Sequence, residues 1–300
     1  MNKALYGIVP ALITPLNQDR TLDVASLERL IEHLLAGGVH GIFAAGMTGE
    51  GAALPTDMLR QLIRECARII HGRVPLCAGV LESSARRTIE TALQLADAGA
   101  DMLSTTVPYA PPVPEQEEIL AHFDLICRRV DMPWMVYGNA GCMTSIQPDT
   151  MGQLARLPGI CAIKDTRPDF EGHLKNIMAV RGGHAALLSG GEYLVGPGML
   201  FGADGNISGA TNLFPRLFRS LYDAAEQGDV ATVAACSERI ARIHAMTALP
   251  GACWLAVFKY AGSCMGLMQP WCCRPAQPLT PRQASAVRRM LAELNEPMPD

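Results

Sequence analysis

The chain alternates eight short apolar segments with longer segments that carry apolar residues at helical spacing. The apolar segments span 7–13, 41–45, 74–79, 101–107, 133–137, 160–164, 185–189 and 205–209. Each is too short for a helix and is bounded by Gly, Pro or Asp, which is typical of buried strands. Because helices separate them, these strands are expected to form a parallel sheet covered by helices.

The segments between the strands are predicted to form helices. Their predicted bounds are Val24–Ala36, Asp57–Ile70, Ala85–Ala98, Glu115–Arg129, Pro148–Leu157, Phe170–Val180 and Tyr193–Phe201. Eight strand–helix units in about 230 residues fit a closed (β/α)8 TIM barrel, the α/β class with an inner ring of strands. An open doubly wound sheet is the alternative architecture.

After Thr211 the pattern becomes purely helical. The predicted helices there span 213–227, 229–246, 250–266 and 281–295. The first completes the barrel, and no linker rich in Gly or Ser sets the others apart. We therefore expect a barrel over 1–227 and a C-terminal helical region over 228–300 that packs on it.

Composition excludes several classes of partner. The chain has 300 residues, 49% of them hydrophobic and 18% charged, so it can bury a large core. The net charge of −4 and the absence of a Lys/Arg run argue against nucleic acid and anionic membranes as partners. No stretch approaches 18 uncharged apolar residues, so no membrane span is expected.

Cysteine and histidine spacing bears on compartment and metals. The ten cysteines are scattered without a Cys-x-x-Cys pair, and the N-terminus has no apolar signal-peptide core. Both features favour reduced thiols in a cytoplasmic protein. The seven histidines show no metal-ligand spacing. We therefore expect no metal and no cofactor.

Lys164 is the residue that most needs explanation. It ends the apolar run Gly-Ile-Cys-Ala-Ile-Lys-Asp (159–165), and lysines supply only four of the 25 basic side chains. Burial disfavours the ammonium form, and a neutral amine can attack a carbonyl to form a Schiff base. The alternative is a structural lysine that reaches water or pairs with Asp165.

Other candidate site residues also follow predicted strands. In a barrel the carboxyl ends of all strands open at one mouth, where active sites lie. The candidates there are Gly46, Met47, Thr48, Tyr109, Tyr137, Lys164, Gly190, Glu192 and Ser208. Tyr137, on the strand beside Lys164, could pass protons to an intermediate on the amine, though a buried tyrosine is more often structural.

The segment Gly46–Glu50 is a glycine-punctuated turn between a strand and a helix. Such turns expose consecutive backbone N–H groups that can hold an anion, here a carboxylate. Many turns of this kind serve geometry alone. Glu50 and Glu192 are interpreted as carboxylates at helix N-termini, with Glu192 near enough to the mouth to touch a polar substrate.

The chain as a whole resembles the dihydrodipicolinate synthase / N-acetylneuraminate lyase family of Schiff-base-forming class I aldolases on (β/α)8 barrels. The resemblance rests on the order and spacing of Gly7-Ile-Val-Pro-Ala-Leu-Ile-Thr-Pro, the Gly46–Glu50 loop, Tyr137, Ile163-Lys164-Asp165 and Gly202-Ala203-Asp204-Gly205. It implies that Lys164 is the Schiff-base lysine and Tyr137 its proton carrier. It also implies that the backbone at Met47 and Thr48 holds the carboxylate of a 2-oxo acid.

The chain departs from the synthase pattern at three places. Met47 stands where the synthase has the first of two adjacent hydroxyl residues, and the lyase branch prefers serine there. Ala110 stands where a second relay tyrosine would fall. The stretch 138–143 lacks the arginine that holds the aldehyde substrate's carboxylate. We therefore expect a divergent member rather than a true dihydrodipicolinate synthase.

The resemblance implies a lyase acting on pyruvate or a related 2-oxo acid, which cleaves or forms a C–C bond. One alternative is a dehydratase or deaminase of a 2-oxo-3-deoxy sugar acid or cyclic imino acid, which begins with the same imine. Another is a catalytically degraded member that binds an oxo acid without turnover. The family also implies a homo-oligomer, a tetramer or a dimer.

Overall fold

Eight parallel strands form the centre of the molecule. The computed structural model describes residues 5–109, 114–138 and 144–295. The strands are β1 (Gly7–Pro10), β2 (Ile42–Ala44), β3 (Leu76–Gly79), β4 (Met102–Thr106), β5 (Trp134–Gly138), β6 (Ile160–Asp165), β7 (Ala186–Ser189) and β8 (Gly205–Ser208). Ladders join β2 through β8 in chain order, and β8 pairs with β1.

The ring closes between β1 and β2. Ala11 and Phe43 form a parallel bridge there, and the N–H of Leu12 donates to the carbonyl of Phe43 at 2.8 Å. The closure confirms the predicted barrel, and the open-sheet alternative is wrong.

Helices alternate with the strands on the outside of the barrel. They are α1 (Val24–Ala36), α2 (Thr56–Ile70), α3 (Ala85–Asp97), α4 (Gln116–Arg129), α5 (Pro148–Leu154), α6 (Phe170–Val180), α7 (Val195–Leu200) and α8 (Pro215–Glu226). The predicted helix over Tyr193–Phe201 is shorter, because a 3-10 turn occupies Glu192–Leu194. The predicted strand over 7–13 ends at Pro10; Ile13 instead donates its N–H to the side chain of Asn212.

The strands carry two buried faces. Side chains such as Val9, Phe43 and Met135 fill the barrel interior, and a larger cluster lies between strands and helices. Because side chains alternate along a strand, Lys164 shares the interior face with Ala162, whereas Asp165 faces the helices.

Three helices follow the barrel: α9 (Val230–Thr247), α10 (Trp254–Cys264) and α11 (Pro281–Asn295). They pack on one another, and α9 also packs against α7 and α8. The C-terminal region is thus helical and lies against the barrel, as expected from the absence of a linker rich in Gly or Ser. In the described part of the chain, no helix has the length and apolar character needed to cross a membrane.

Candidate active site

Lys164 lies inside the barrel beside Tyr137. The two residues are register partners on neighbouring strands, and each side chain is about 3% exposed. Nζ of Lys164 lies 4.0 Å from the centroid of the Tyr137 ring and 5.5 Å from that of Phe43. The rings of Phe43 and Tyr137 meet edge to face, with centroids 5.9 Å apart. Two aromatic rings therefore fix the position of the amine.

Asp165, the next residue along β6, does not pair with this amine. Its carboxylate accepts from Nδ1 of His173 at 2.8 Å, from Nδ2 of Asn176 at 3.0 Å and from Nε of Arg167 at 3.2 Å. Burial by itself raises the pKa of the Asp165 carboxyl, but these partners outweigh it and lower that pKa below its ordinary value. The alternative of a structural Lys164–Asp165 pair is therefore wrong.

A second buried lysine provides a contrast. Lys259, on α10, is fully buried and donates to the carboxylate of Glu50 and, at 2.7 Å, to the carbonyl of Trp271. Within the described residues, Nζ of Lys164 has no carboxylate or carbonyl at hydrogen-bonding distance. Burial alone thus does not distinguish the two lysines. Lys164 differs because its buried amine has no anionic partner in the described part of the chain.

The loop after β2 contributes Met47 and Thr48 to the same space. Gly51 and Glu50 donate their N–H groups back to the carbonyls of Gly46 and Met47, each at 3.0 Å, which makes the turn compact. In the described chain, the N–H groups of Met47 and Thr48 have no acceptor. Two adjacent unpaired donors beside an amine form an arrangement suited to a carboxylate.

The side chain of Glu50 does not cap a helix, which is the role that the sequence suggested for it. It has a left-handed backbone (φ 58°) and makes no capping hydrogen bond. Its side chain instead turns inward, where one oxygen accepts from Lys259 and the other from the N–H of Cys273 at 2.6 Å. Glu50 therefore joins the loop to the C-terminal helices.

A cavity of about 420 Å³ surrounds the amine. Seven of the nine residues predicted for the mouth line it: Met47, Thr48, Tyr137, Lys164, Gly190, Glu192 and Ser208. Gly190 has no room for a side chain, since a Cβ there would lie 2.2 Å from Oγ1 of Thr166 and 3.1 Å from Cε of Lys164. The hydroxyl of Ser208 is already hydrogen-bonded to that of Thr211 at 2.9 Å.

The two remaining predicted residues lie elsewhere. Tyr109 lines a neighbouring cavity and donates its hydroxyl to the carbonyl of Leu81 at 3.1 Å. Gly46 lies beneath the loop, where a Cβ would lie 2.6 Å from the ring of Phe43. The departures noted at Ala110 and in 139–143 fall outside the described residues.

The sequence patterns missed several lining residues. They are Thr166, His244, Thr247, Trp254 and Phe258. His244, at the end of α9, brings its Nδ1 to 3.4 Å from a carboxylate oxygen of Glu192. The hydrogen bond with Glu192 raises the pKa of His244, against burial, which lowers it. The Glu192–His244 pair thus forms a polar part of the cavity wall.

Metal and thiol chemistry find little support in the described residues. No group of three or more His, Cys, Asp or Glu side chains is placed there to hold a metal ion. The nine described cysteines are all free thiols. Burial raises the pKa of Cys161, in the strand of Lys164, to about 11, which keeps it in the unreactive thiol form.

Taken together, a (β/α)8 barrel whose mouth brings together a buried lysine, a phenol and the backbone of a glycine-punctuated turn defines a lyase of the Schiff-base-forming aldolase class. Comparison with known proteins gives the family. The profile of the dihydrodipicolinate synthetase family matches residues 4–294, and the chain belongs to that family.

Comparison with individual proteins gives the same family. The 4-hydroxy-tetrahydrodipicolinate synthase of Xanthomonas campestris pv. campestris is 36% identical over 245 residues, which cover 80% of each chain. The dihydrodipicolinate synthase structure from Bacteroides thetaiotaomicron superposes with a TM-score of 0.91 at 30% identity and covers 98% of this chain and 100% of that one. The dihydrodipicolinate synthase from Acinetobacter baumannii, complexed with pyruvate, gives a TM-score of 0.89 at 30% identity, covering 96% and 98%.

Proposed function

We propose that this enzyme captures pyruvate or a closely related 2-oxo acid as a Schiff base on Lys164 and then makes or breaks a C–C bond at C3 of that acid. One observation carries the proposal: within the described residues, the amine of Lys164 has no anionic partner, and the N–H groups of Met47 and Thr48, which line the same cavity, have no acceptor. The pyruvate complex of the Acinetobacter relative supports the choice of acid.

The first step is imine formation. The N–H groups of Met47 and Thr48 hold the carboxylate and so present the ketone carbon to Nζ of Lys164. The amine adds to that carbon, and the resulting carbinolamine loses its hydroxyl as water. Tyr137, the register partner of Lys164, carries the proton that makes this hydroxyl a leaving group.

The second step uses the imine as an electron sink. Loss of a proton from C3 gives an enamine, which attacks the carbonyl carbon of an aldehyde and restores the iminium. Hydrolysis of the iminium then releases a 4-hydroxy-2-oxo acid and the free lysine. The reverse sequence cleaves the same bond, so no external oxidant or reductant is required.

The remaining lining residues position the acid. We assign Glu192 and its partner His244 to polar groups of the bound substrate, because they provide an acceptor and a donor side by side. Gly190 leaves the space in which the lysine side chain lies, and Ser208 contributes backbone to the wall. We assign no substrate contact to Gly46 and place Tyr109 with the second cavity.

Borohydride trapping tests the proposal. Incubation with pyruvate and borohydride should add the mass of one reduced pyruvate adduct, and peptide mapping should place it on Lys164. Lys164→Ala should abolish the adduct, whereas Lys175→Met should retain it, because Lys175 pairs with Glu171 on the surface of α6. An adduct on Lys259, or none with any 2-oxo acid, would contradict the assignment.

We also propose that the enzyme is a cytoplasmic homo-oligomer, a tetramer or a dimer, and that residues 1–227 and 228–300 act as a barrel and its helical cover. The nine cysteines of the described residues are free thiols, which supports a reducing compartment. Light scattering of the purified protein would determine the number of subunits.

A further inference from the structure

A second and larger cavity lies beside the lysine cavity. Its volume is about 780 Å³, and Met47 lines both cavities, so the Met47 side chain is their shared wall. The loop after β2 forms one side of the larger cavity, and the segment 273–283 of the C-terminal region forms another. Nothing in the mechanism above uses this space.

The walls of the larger cavity are mostly apolar. Ala52, Leu81, Ala252, Pro278 and Leu279 contribute to them. A hydroxylated molecule placed there would exchange water for surfaces that offer no hydrogen bonds, which is unfavourable. An apolar or aromatic group would gain from the same burial.

The polar side chains in these walls are already engaged with protein neighbours. Both oxygens of Glu50 are occupied, and Tyr109 donates to Leu81. Arg274 donates to Gln277, and the hydroxyl of Thr280 donates to Gln283. The Glu50 carboxylate and the Tyr109 hydroxyl therefore have protein partners, whereas Arg274 is exposed and has N–H groups beyond the one bonded to Gln277.

Thr106 is the exception among the described lining residues. Its side chain is 1% exposed, and its Oγ1 has no hydrogen-bond partner in the described chain. Thr106 ends β4 and is the register partner of Tyr137. One unsatisfied hydroxyl thus lies at the junction, where the larger cavity approaches the reactive pair.

We propose that the larger cavity holds the non-reacting part of the aldehyde, and that this part is apolar or aromatic. The inference rests on the proposed function, since the aldehyde carbon must reach the enamine on Lys164. The side chain of Met47 then packs against the aldehyde's substituent, and the Thr106 hydroxyl donates to a polar atom at the junction. Methionine suits a shared wall because its three rotatable bonds adapt to the ligand's shape.

A comparison of two aldehyde substrates tests the proposal. Pyruvate is supplied with benzaldehyde or with glyceraldehyde, and kcat/KM for C–C bond formation is measured for each. Burial of a phenyl-sized group predicts a preference for benzaldehyde of about 10- to 100-fold. A preference for glyceraldehyde would overturn the inference.

A variant that fills the larger cavity tests whether the preference for benzaldehyde arises there. Ala252→Phe places a ring in the cavity and should raise KM for benzaldehyde about tenfold. Rates with glyceraldehyde and of pyruvate trapping should stay unchanged. Ala231→Phe adds the same bulk on an exposed position of α9 and should change none of these values. An equal effect of Ala252→Phe on both aldehydes, or a change in the number of subunits, would overturn the inference.

Two further measurements keep the test decisive. Calorimetric titration with benzyl alcohol measures occupancy of the cavity without turnover, and Ala252→Phe should abolish binding that Ala231→Phe retains. If Ala252→Phe does not fold, Leu279→Ala enlarges the cavity instead and should extend activity to naphthaldehyde. Failure of pyruvate trapping would count against the proposed function; trapping without binding of benzyl alcohol would count against this inference alone.

Discussion

Lys259 donates a hydrogen bond to the buried carboxylate of Glu50, which lies 209 residues earlier in the chain. Glu50 belongs to the loop that carries the N–H groups of Met47 and Thr48, and Lys259 belongs to α10. The contact therefore fixes the loop after β2 to the C-terminal helices. A region that looks like an appendage thus takes part in positioning the site.

Lys259→Met tests this connection. The substitution leaves the carboxylate of Glu50 buried without its cation, so the free energy of unfolding should fall by about 3–5 kcal/mol. Urea denaturation measures the change. Lys175→Met is the matched control, because Lys175 pairs with Glu171 on the surface of α6; it should change stability by less than about 0.5 kcal/mol. Equal values for the two variants would contradict the role given to Glu50.

Tyr137→Phe removes the phenolic hydroxyl and keeps the ring, so it tests the role of the hydroxyl alone. The ring that holds the amine of Lys164 remains, so the fold and the amine's position should be kept. Loss of the proton carrier should slow imine formation with pyruvate by roughly 10²- to 10⁴-fold. Rapid-quench borohydride trapping measures that rate. A rate equal to the wild type would show that water, and not the phenol, carries the proton.

Gly190→Ala tests the space around the lysine. The new Cβ would meet both Thr166 and Cε of Lys164, and a displacement of about 1 Å in a reacting group can cost about 100-fold in rate. Gly191→Ala is the neighbouring control, since its Cβ would meet nothing closer than 3.4 Å. The trapping rate should fall in the first variant and stay near wild type in the second. A similar fall in both would mean that the loop, and not the lysine, is disturbed.

Glu192→Gln tests the polar wall through pH. The hydrogen bond to Glu192 raises the pKa of His244, so the folded state binds this proton more tightly than the unfolded state. The pair's contribution to stability is therefore complete below the ordinary histidine pKa of 6.5 and is lost as pH rises through the raised value. In Glu192→Gln the pKa of His244 should fall.

NMR titration of the His244 ring, assigned by comparison with His244→Asn, gives that pKa directly. Urea denaturation across the same pH range should show a smaller loss of stability with rising pH in Glu192→Gln than in the wild type. An unchanged midpoint for His244 would mean that Glu192 does not hold it.

The sequence was sufficient for the barrel and for the reactive pair. Eight apolar segments at strand length imply the strand order, and strands five and six are neighbours in any such barrel. Lys164 and Tyr137 each lie at a strand's carboxyl end, so their proximity follows from topology. Local signals of this kind depend only on spacing along the chain.

The sequence did not predict contacts between segments that are far apart along the chain. His244 joins the cavity because α9 packs over the mouth, and no periodicity in 229–246 specifies which side of the barrel that helix covers. Glu50 looked like a helix-terminal carboxylate because its partner Lys259 belongs to another part of the fold. Tyr109 follows a strand as predicted, but its side chain turns toward Leu81 and away from the lysine.

The strands of the barrel are unequally joined. β5 and β6 share five register partners, whereas in the described chain β1 and β2 meet at the bridge between Ala11 and Phe43. These two junctions lie across the ring from each other. Thermal opening of the ring should therefore occur more readily at the weaker of these two junctions, beside the loop after β2. Lys164 and Tyr137 lie at the junction with five register partners, so opening at the other junction should leave their separation unchanged.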